Sequence, residues 1–190
     1  VYHIPHGTPT WFPPRKPKRE RVIGVFGFVE SHKGLWQLLD VLRQLSDVSL
    51  LVYGVAKSLE LLAQWQRDSS GLPVHHINDY LSEEEVATQL AADADILVFW
   101  YEQITHHSAS GAARIGLASG VPVLTSPTLM FEDLREATYQ PDDLCEGVQR
   151  LLEDTALRQQ ITAAARDYCY EHAWSKIAQK HIDLWSTVAS

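Results

Sequence analysis

Two short segments carry residue types suited to holding an anion. The first, Gly27-Phe-Val-Glu-Ser-His-Lys33-Gly34, joins an apolar run to a stretch with helical spacing. Glycine lets backbone approach a ligand closely. A lysine at a helix start sits beside the positive end of the dipole, where a cation is unfavourable unless an anion is present. Phosphate suits that pairing. The second segment is Thr105-His-His-Ser-Ala-Ser-Gly-Ala-Ala113. Ser108 and Ser110 are good N-cap residues, while Gly111 and Ala112 leave the helix entrance open. Backbone N–H groups and two hydroxyls there can hold a phosphate or diphosphate. Each segment also has a plainer reading, as a solvent-facing lysine or a capped helix. No G-x-G-x-x-G and no Walker A pattern occurs.

Other chemistries fit less well. Asp93-Ala-Asp95 has the D-x-D spacing of a metal site beside diphosphate, but it precedes an apolar run instead of following one. Helix-end and strand-start roles suit these aspartates better. Of nine histidines, His75-His76 sit in a strand-like run, where neighbours point to opposite faces, and His106-His107 are adjacent in a loop. No His-x-x-x-His pair and no cysteine cluster supports structural zinc. No metal is expected. The G-x-S-x-G elbow of a serine hydrolase is absent.

The elements that must position these segments follow a regular rhythm. Apolar runs at Val22–Phe26, Val48–Tyr53, Val74–Ile77, Ile96–Trp100 and Val121–Thr125 predict five strands. Helical spacing covers Lys33–Leu45, Ser58–Asp68, Ser82 to about Ala92, and Gly111–Ser119. On the second of these, Leu59, Leu62, Ala63 and Gln66 mark one side. Ser82 with Glu85 three residues on is a capping-box pattern. Three further helices are expected from Pro141 to Leu152, Thr155 to His172 and Trp174 to about Val188. Continuously apolar strands alternating with helices predict an α/β fold, a doubly wound parallel sheet with extra C-terminal helices. Ligands of such sheets bind outside the carboxyl ends of the strands. The loops to inspect are residues 27–33, 54–57, 78–81, 101–111 and 126–131.

Composition sets outer limits. The 190 residues carry a formal charge of −8, with 45% hydrophobic and 21% charged residues, as an ordinary folded domain does. Net acidity argues against nucleic-acid binding. No apolar run approaches the roughly 20 residues of a membrane span. Cys145 and Cys169, too few for a disulfide framework, read as reduced thiols of a cytoplasmic protein. Residues 15–21 are an exception to the acidity, with five positive charges and one negative among prolines. Residues 1–21 are expected to be a Pro-rich basic linker, and 22–190 the folded domain. The basic stretch suits solvent, a missing domain or the inner face of a membrane. Tryptophans at 36, 65 and 185 are expected to be core or domain-interface anchors, with Trp100 at the pocket mouth. A start at Val1 without Met suggests a piece of a longer protein.

Taken in order, Val25-Phe-Gly-Phe-Val-Glu-Ser-His-Lys-Gly34, Ser108-Ala-Ser-Gly-Ala-Ala-Arg114 and Gly120-Val-Pro-Val-Leu-Thr-Ser126 resemble one family. It is the C-terminal, nucleotide-sugar-binding domain of GT-B glycosyltransferases, in particular retaining family 4. Ile4-Pro-His-Gly7, Ala92-Asp-Ala-Asp-Ile-Leu-Val98 and Trp174-Ser-Lys-Ile-Ala178 extend the resemblance over essentially the whole chain.

The resemblance implies donor diphosphate and sugar contacts at Gly27, Lys33, Ser108, Ala109, Ser110 and Gly111. It implies base contacts at Asp79, Tyr80 and Leu81, with residues 125–128 nearby. It implies hexosyl transfer with retention, an acceptor (a sugar or lipid-linked molecule) held by an absent N-terminal domain, and no cofactor beyond the donor. Three positions depart from the pattern. Phe28 stands where the family has arginine, and His107 and Ile115 stand where it has glutamates. His107 then lies beside the transferred sugar, and Glu102 in the same loop is a candidate substitute for the first glutamate. A domain that binds a nucleotide sugar without catalysis, or a scaffold that lost its pocket, remain alternatives.

Overall fold

The computed structural model describes residues 2–15, 21–103 and 108–188. Its centre is a parallel sheet of five strands: β1 (Arg21–Phe26), β2 (Val48–Tyr53), β3 (Val74–Ile77), β4 (Ile96–Phe99) and β5 (Val123–Thr125). Their spatial order is β3-β2-β1-β4-β5, so the order reverses between β1 and β4. The helices are α1 (Leu35–Gln44), α2 (Leu59–Asp68), α3 (Glu83–Asp93), α4 (Gly111–Ala118), α5 (Leu144–Glu153), α6 (Thr155–Glu171) and α7 (Trp174–Val188). This is the doubly wound α/β sheet that the strand–helix rhythm predicts.

Strand alternation divides the core in two. Val22, Leu51, Leu97 and Phe99 pack with Val86, Leu90, Leu117 and Ala165 of α3, α4 and α6. Ile23, Val25, Leu50, Val52, Ile96 and Val98 pack on the other face, with Leu38, Leu39, Trp65 and Val148 of α1, α2 and α5. Adjacent strand residues point to opposite faces, and both faces are covered, which is why the runs carry no polar alternation.

Several boundaries differ from the sequence reading for local reasons. Helix α1 begins at Leu35 because Gly34 adopts φ 70°, and Lys33 closes a short 3-10 helix (Ser31–Lys33) before it. Strand β5 begins two residues late: Pro122 offers its carbonyl to the Leu97 amide at 2.9 Å but has no N–H to donate. A 3-10 helix at Leu129–Leu134 occupies part of the expected loop. On α2 the buried side chain is Trp65, whereas Leu59 is 85% exposed. Trp185 is also exposed.

The capping box of α3 is formed. Ser82 Oγ accepts the Glu85 amide at 3.3 Å, and the Glu85 carboxylate accepts the Ser82 amide at 2.9 Å. Ser82→Ala is expected to lower stability by about 1 kcal/mol in a urea titration.

Residues 2–15 lie against the domain. Thr8 donates its amide to His172 and its hydroxyl to the Cys169 carbonyl, at 2.9 and 3.0 Å. The Phe12 amide reaches Ala118, and the Arg15 guanidinium donates to the Ala94 carbonyl at 2.8 Å. Arg21 pairs with Asp47 at 2.9 Å. The basic stretch between Arg15 and Arg21 is therefore anchored at both ends, while residues 16–20 lie outside the described residues. Asp95 accepts the Val22 amide at 2.9 Å and Asp93 accepts the Tyr53 hydroxyl at 3.3 Å, so the D-x-D pair faces the sheet. Both cysteines are free, and burial pushes the Cys169 thiol up to about 12. Among the described residues no helix is long and apolar enough to cross a membrane.

Candidate active site

At the carboxyl ends of β1 and β2, beside the point where strand order reverses, lies a cavity of about 280 Å³. This is where an open α/β sheet collects its ligands. Three loops and a helix close it. Gly27, Phe28 and Lys33 come from the β1 exit, and Gly54 and Val55 from the β2 exit. Asp79, Tyr80 and Leu81 come from the β3 exit, and Gly111, Ala112 and Ile115 from α4.

The β1 and β2 exits stay side by side after the sheet ends. The Val29 amide donates to the Val55 carbonyl at 3.1 Å, and Val29 bridges Ala56. This close approach needs glycine at 54: a Cβ there would stand 1.8 Å from the Gly27 carbonyl oxygen. Beyond β4, the Glu102 amide donates to the His32 carbonyl at 2.9 Å, tying the β4 exit to the Lys33 turn. Ser126 Oγ accepts the Tyr101 amide at 3.0 Å and donates to the Tyr101 carbonyl at 2.8 Å, which fixes the same exit from β5.

Among the described residues Lys33 is the cation lining the cavity. Its Nζ lies 5.4 Å from the centroid of the buried Tyr101 ring. Burial holds its pKa below the usual lysine range, with Glu30 opposing and Lys57 adding to the shift. An ammonium that has shed part of its hydration, with no carboxylate of the described residues in direct contact, is prepared for an anion. Burial also pushes the Tyr101 phenol up to about 12, so it stays protonated.

Opposite Lys33 stands the first turn of α4. Ser110 caps it by accepting the Ala113 amide at 3.2 Å. Gly111 and Ala112 reach the cavity, and first-turn amides have no acceptor within their own helix. Arg114 is buried behind this turn, donating to the Ser110 carbonyl at 3.1 Å and pairing with Asp133. That pair holds the helix entrance against the 3-10 segment after β5.

The structure thus brings together Gly27, Lys33, Asp79, Tyr80, Leu81 and Gly111 of the sequence-predicted residues. Phe28 and Ile115 line the same cavity. Ser108 and Ala109 line a different groove, with Arg114, Asp133 and Trp174, and Ser110 is buried as a cap. Glu102 is exposed and stands outside the cavity lining. His107 lies outside the described residues. Thr125 is wholly buried against Thr138, their hydroxyls 3.1 Å apart. Among the described residues no group of three or more His, Cys, Asp or Glu side chains is placed to hold a metal. Sequence reasoning did not select Glu83 or Val86 of α3, which complete the wall. The capping-box serine just before them was the available signal.

Comparisons with known proteins agree with this geometry. No curated protein sequence matches the chain. Among solved structures, sucrose-phosphate synthase from Thermosynechococcus elongatus superposes with a TM-score of 0.79 at 21% identity, over 98% of this chain and 53% of that one. A glycosyltransferase from Rickettsia africae gives 0.77 at 14% identity, over 92% and 49%. Anabaena HepE in complex with UDP and glucose gives 0.73 at 17%, over 88% and 48%. The chain spans about half the length of these proteins. The shared fold is the Rossmann-like domain of GT-B glycosyltransferases. The profile of the family described as glycosyl transferase-like matches residues 32–183, most of the sequence. The chain belongs to this glycosyl transferase-like family.

Proposed function

We propose that this chain is the donor-binding, C-terminal half of a retaining, family-4-like glycosyltransferase, and that the cavity holds the nucleoside diphosphate of a hexose donor. One observation carries the reading. Residues chosen from two separate loops and a helix start, Gly27 with Lys33, Asp79 to Leu81, and Gly111, converge on a single cavity. The base lies by Tyr80 and Leu81. The diphosphate lies between the Lys33 ammonium and the α4 amides. Sugar transfer breaks the bond between the anomeric carbon and the diphosphate oxygen, leaving negative charge on the diphosphate. Lys33 and the helix N-terminus meet that charge as it develops, without reorganising. The reading invokes no metal. The acceptor, a sugar or lipid-linked molecule, belongs to a second domain, and His107 or Glu102 is the candidate group beside the transferred sugar. Anabaena HepE has been crystallised with UDP-glucose, which makes that donor the first to try.

Phe28 and Ile115 give a second reading some support. They place apolar surface along the cavity, which suits binding without catalysis. Turnover by the two-domain protein separates the two readings. Binding itself is tested by thermal shift with uridine, guanosine, adenosine and deoxythymidine diphosphates and their sugars. At 100 times its dissociation constant the right ligand stabilises by about 2.7 kcal/mol. A shift with one base is expected. No shift with any of them would overturn the reading.

A further inference from the structure

Phe28 and Lys33 of the cavity wall form a charged cluster with Glu30 and Lys57, which stand beside them outside the lining. The Phe28 ring is 48% exposed and faces two ammonium groups. Lys33 Nζ lies 5.8 Å from its centroid and Lys57 Nζ lies 5.4 Å from it. The π face of an aromatic ring attracts cations, so one ring gathers both. Glu30 is the acid of the cluster. It pairs with Lys57 and lies 3.4 Å from His32 Nε2. Burial raises the Glu30 pKa, but the Lys57 hydrogen bond and the charges of Lys33, Lys57 and His32 outweigh it and hold the carboxyl below the usual range.

One carboxylate thus serves two ammoniums, and the cluster keeps an excess of positive charge. The two lysines also oppose each other, since Lys57 lowers the pKa of Lys33. A multiply charged anion placed near both relieves that opposition. The arrangement comes from the parallel pairing of β1 and β2, which sets residues 28–30 beside 55–57 beyond the sheet.

We propose that Lys57 is a second phosphate-binding residue, and that Phe28 is a positioning residue that holds both ammoniums toward the distal phosphate of the nucleotide. Glu30 is their resident counter-ion in the empty site. This rests on the nucleotide-binding reading above and adds a selectivity to it. Lys33 serves any phosphate that enters the cavity, whereas Lys57 serves the outer one only.

The test is calorimetric titration of this chain and its Lys57→Gln, Phe28→Leu and Phe28→Tyr variants. The probes are inorganic pyrophosphate, the four nucleoside diphosphates and the matching monophosphates. Lys57 is exposed, so its replacement leaves the fold intact. Lys57→Gln is expected to weaken diphosphate and pyrophosphate binding about tenfold, equivalent to about 1.4 kcal/mol, and monophosphate binding less than twofold. Phe28→Leu keeps apolar bulk but removes the π face, and is expected to show the same diphosphate-selective loss. Phe28→Tyr is expected to restore it. Equal affinities for Lys57→Gln and wild type would overturn the proposal and leave the nucleotide reading standing. Equal losses for mono- and diphosphates would overturn the distal-phosphate assignment. A wild-type chain that binds none of the probes would overturn both.

Discussion

Lys33→Met is expected to weaken nucleoside-diphosphate binding by about 10- to 100-fold while leaving the free chain as stable as before, or slightly more so. The first half follows from the energetics of a charge-assisted hydrogen bond, about 1.5–3 kcal/mol once its partner is removed. The second follows from the sign of the pKa shift. Burial lowers the Lys33 pKa, so the folded state disfavours the ammonium relative to the unfolded chain. Below the folded pKa that preference costs stability, and the cost fades as pH rises through it. Methionine keeps an unbranched apolar stem near Phe28 and Tyr101 and removes the charge. A lysine kept only for the fold would give the reverse pattern, a lower Tm and unchanged affinity. Calorimetry and a thermal melt on the same sample separate the two.

Gly34→Ala is expected to destabilise the chain on the order of 3 kcal/mol. Two causes act together. The residue sits at φ 70°, where a side chain costs about 1–2 kcal/mol. A Cβ would also meet the Trp100 carbonyl oxygen at 1.9 Å, and that neighbour is backbone at the end of β4. Overpacking of this kind costs about 1–3 kcal/mol. The variant also displaces the turn that carries Lys33, so affinity should fall along with stability. A urea titration with and without nucleotide reads both. Gly71→Ala is the control for backbone strain alone, since φ is 78° there and no atom lies within 4 Å of the added Cβ.

Much of the fold was legible because each strand is a short apolar run and the stretches between them carry helical spacing. Gly34, Gly54, Gly120 and Pro122 punctuate the sequence at the places where the chain turns. Trp65 of α2 is in the core as expected, but the side marked by Leu59, Leu62, Ala63 and Gln66 was misread because leucines outnumber the one tryptophan. The helix seats Trp65 beside Trp36 at 5.6 Å between ring centroids, with Leu61 partly buried against the same core, and leaves Leu59 in solvent. Periodicity weighs residues by count, whereas packing weighs them by volume.

The candidate site was legible in its outline. Lys33 and the residue 79–81 loop were found because strand ends fix where ligands can lie. Ser108, Ala109 and Ser110 were harder to place. A sequence shows that a helix starts there but not which side of the entrance faces the cavity. In the structure Ser110 is spent on its own cap, and the two residues before it turn toward the Trp174 groove. The Phe28–Lys57 contact was not legible at all. Those residues are far apart in the chain and meet only through the pairing of β1 with β2.

The central claim is that a nucleotide occupies the cavity at the ends of β1 and β2. The most direct test is a nitrogen-15-labelled sample titrated with the nucleotide that stabilises the chain most, followed by amide resonances. The account predicts that Gly27, Lys33, Gly54, Tyr80, Leu81 and Gly111 shift together and saturate at one affinity. Saturable shifts confined to the groove around Trp174 and Asp133, or no saturable shift at all, would contradict it.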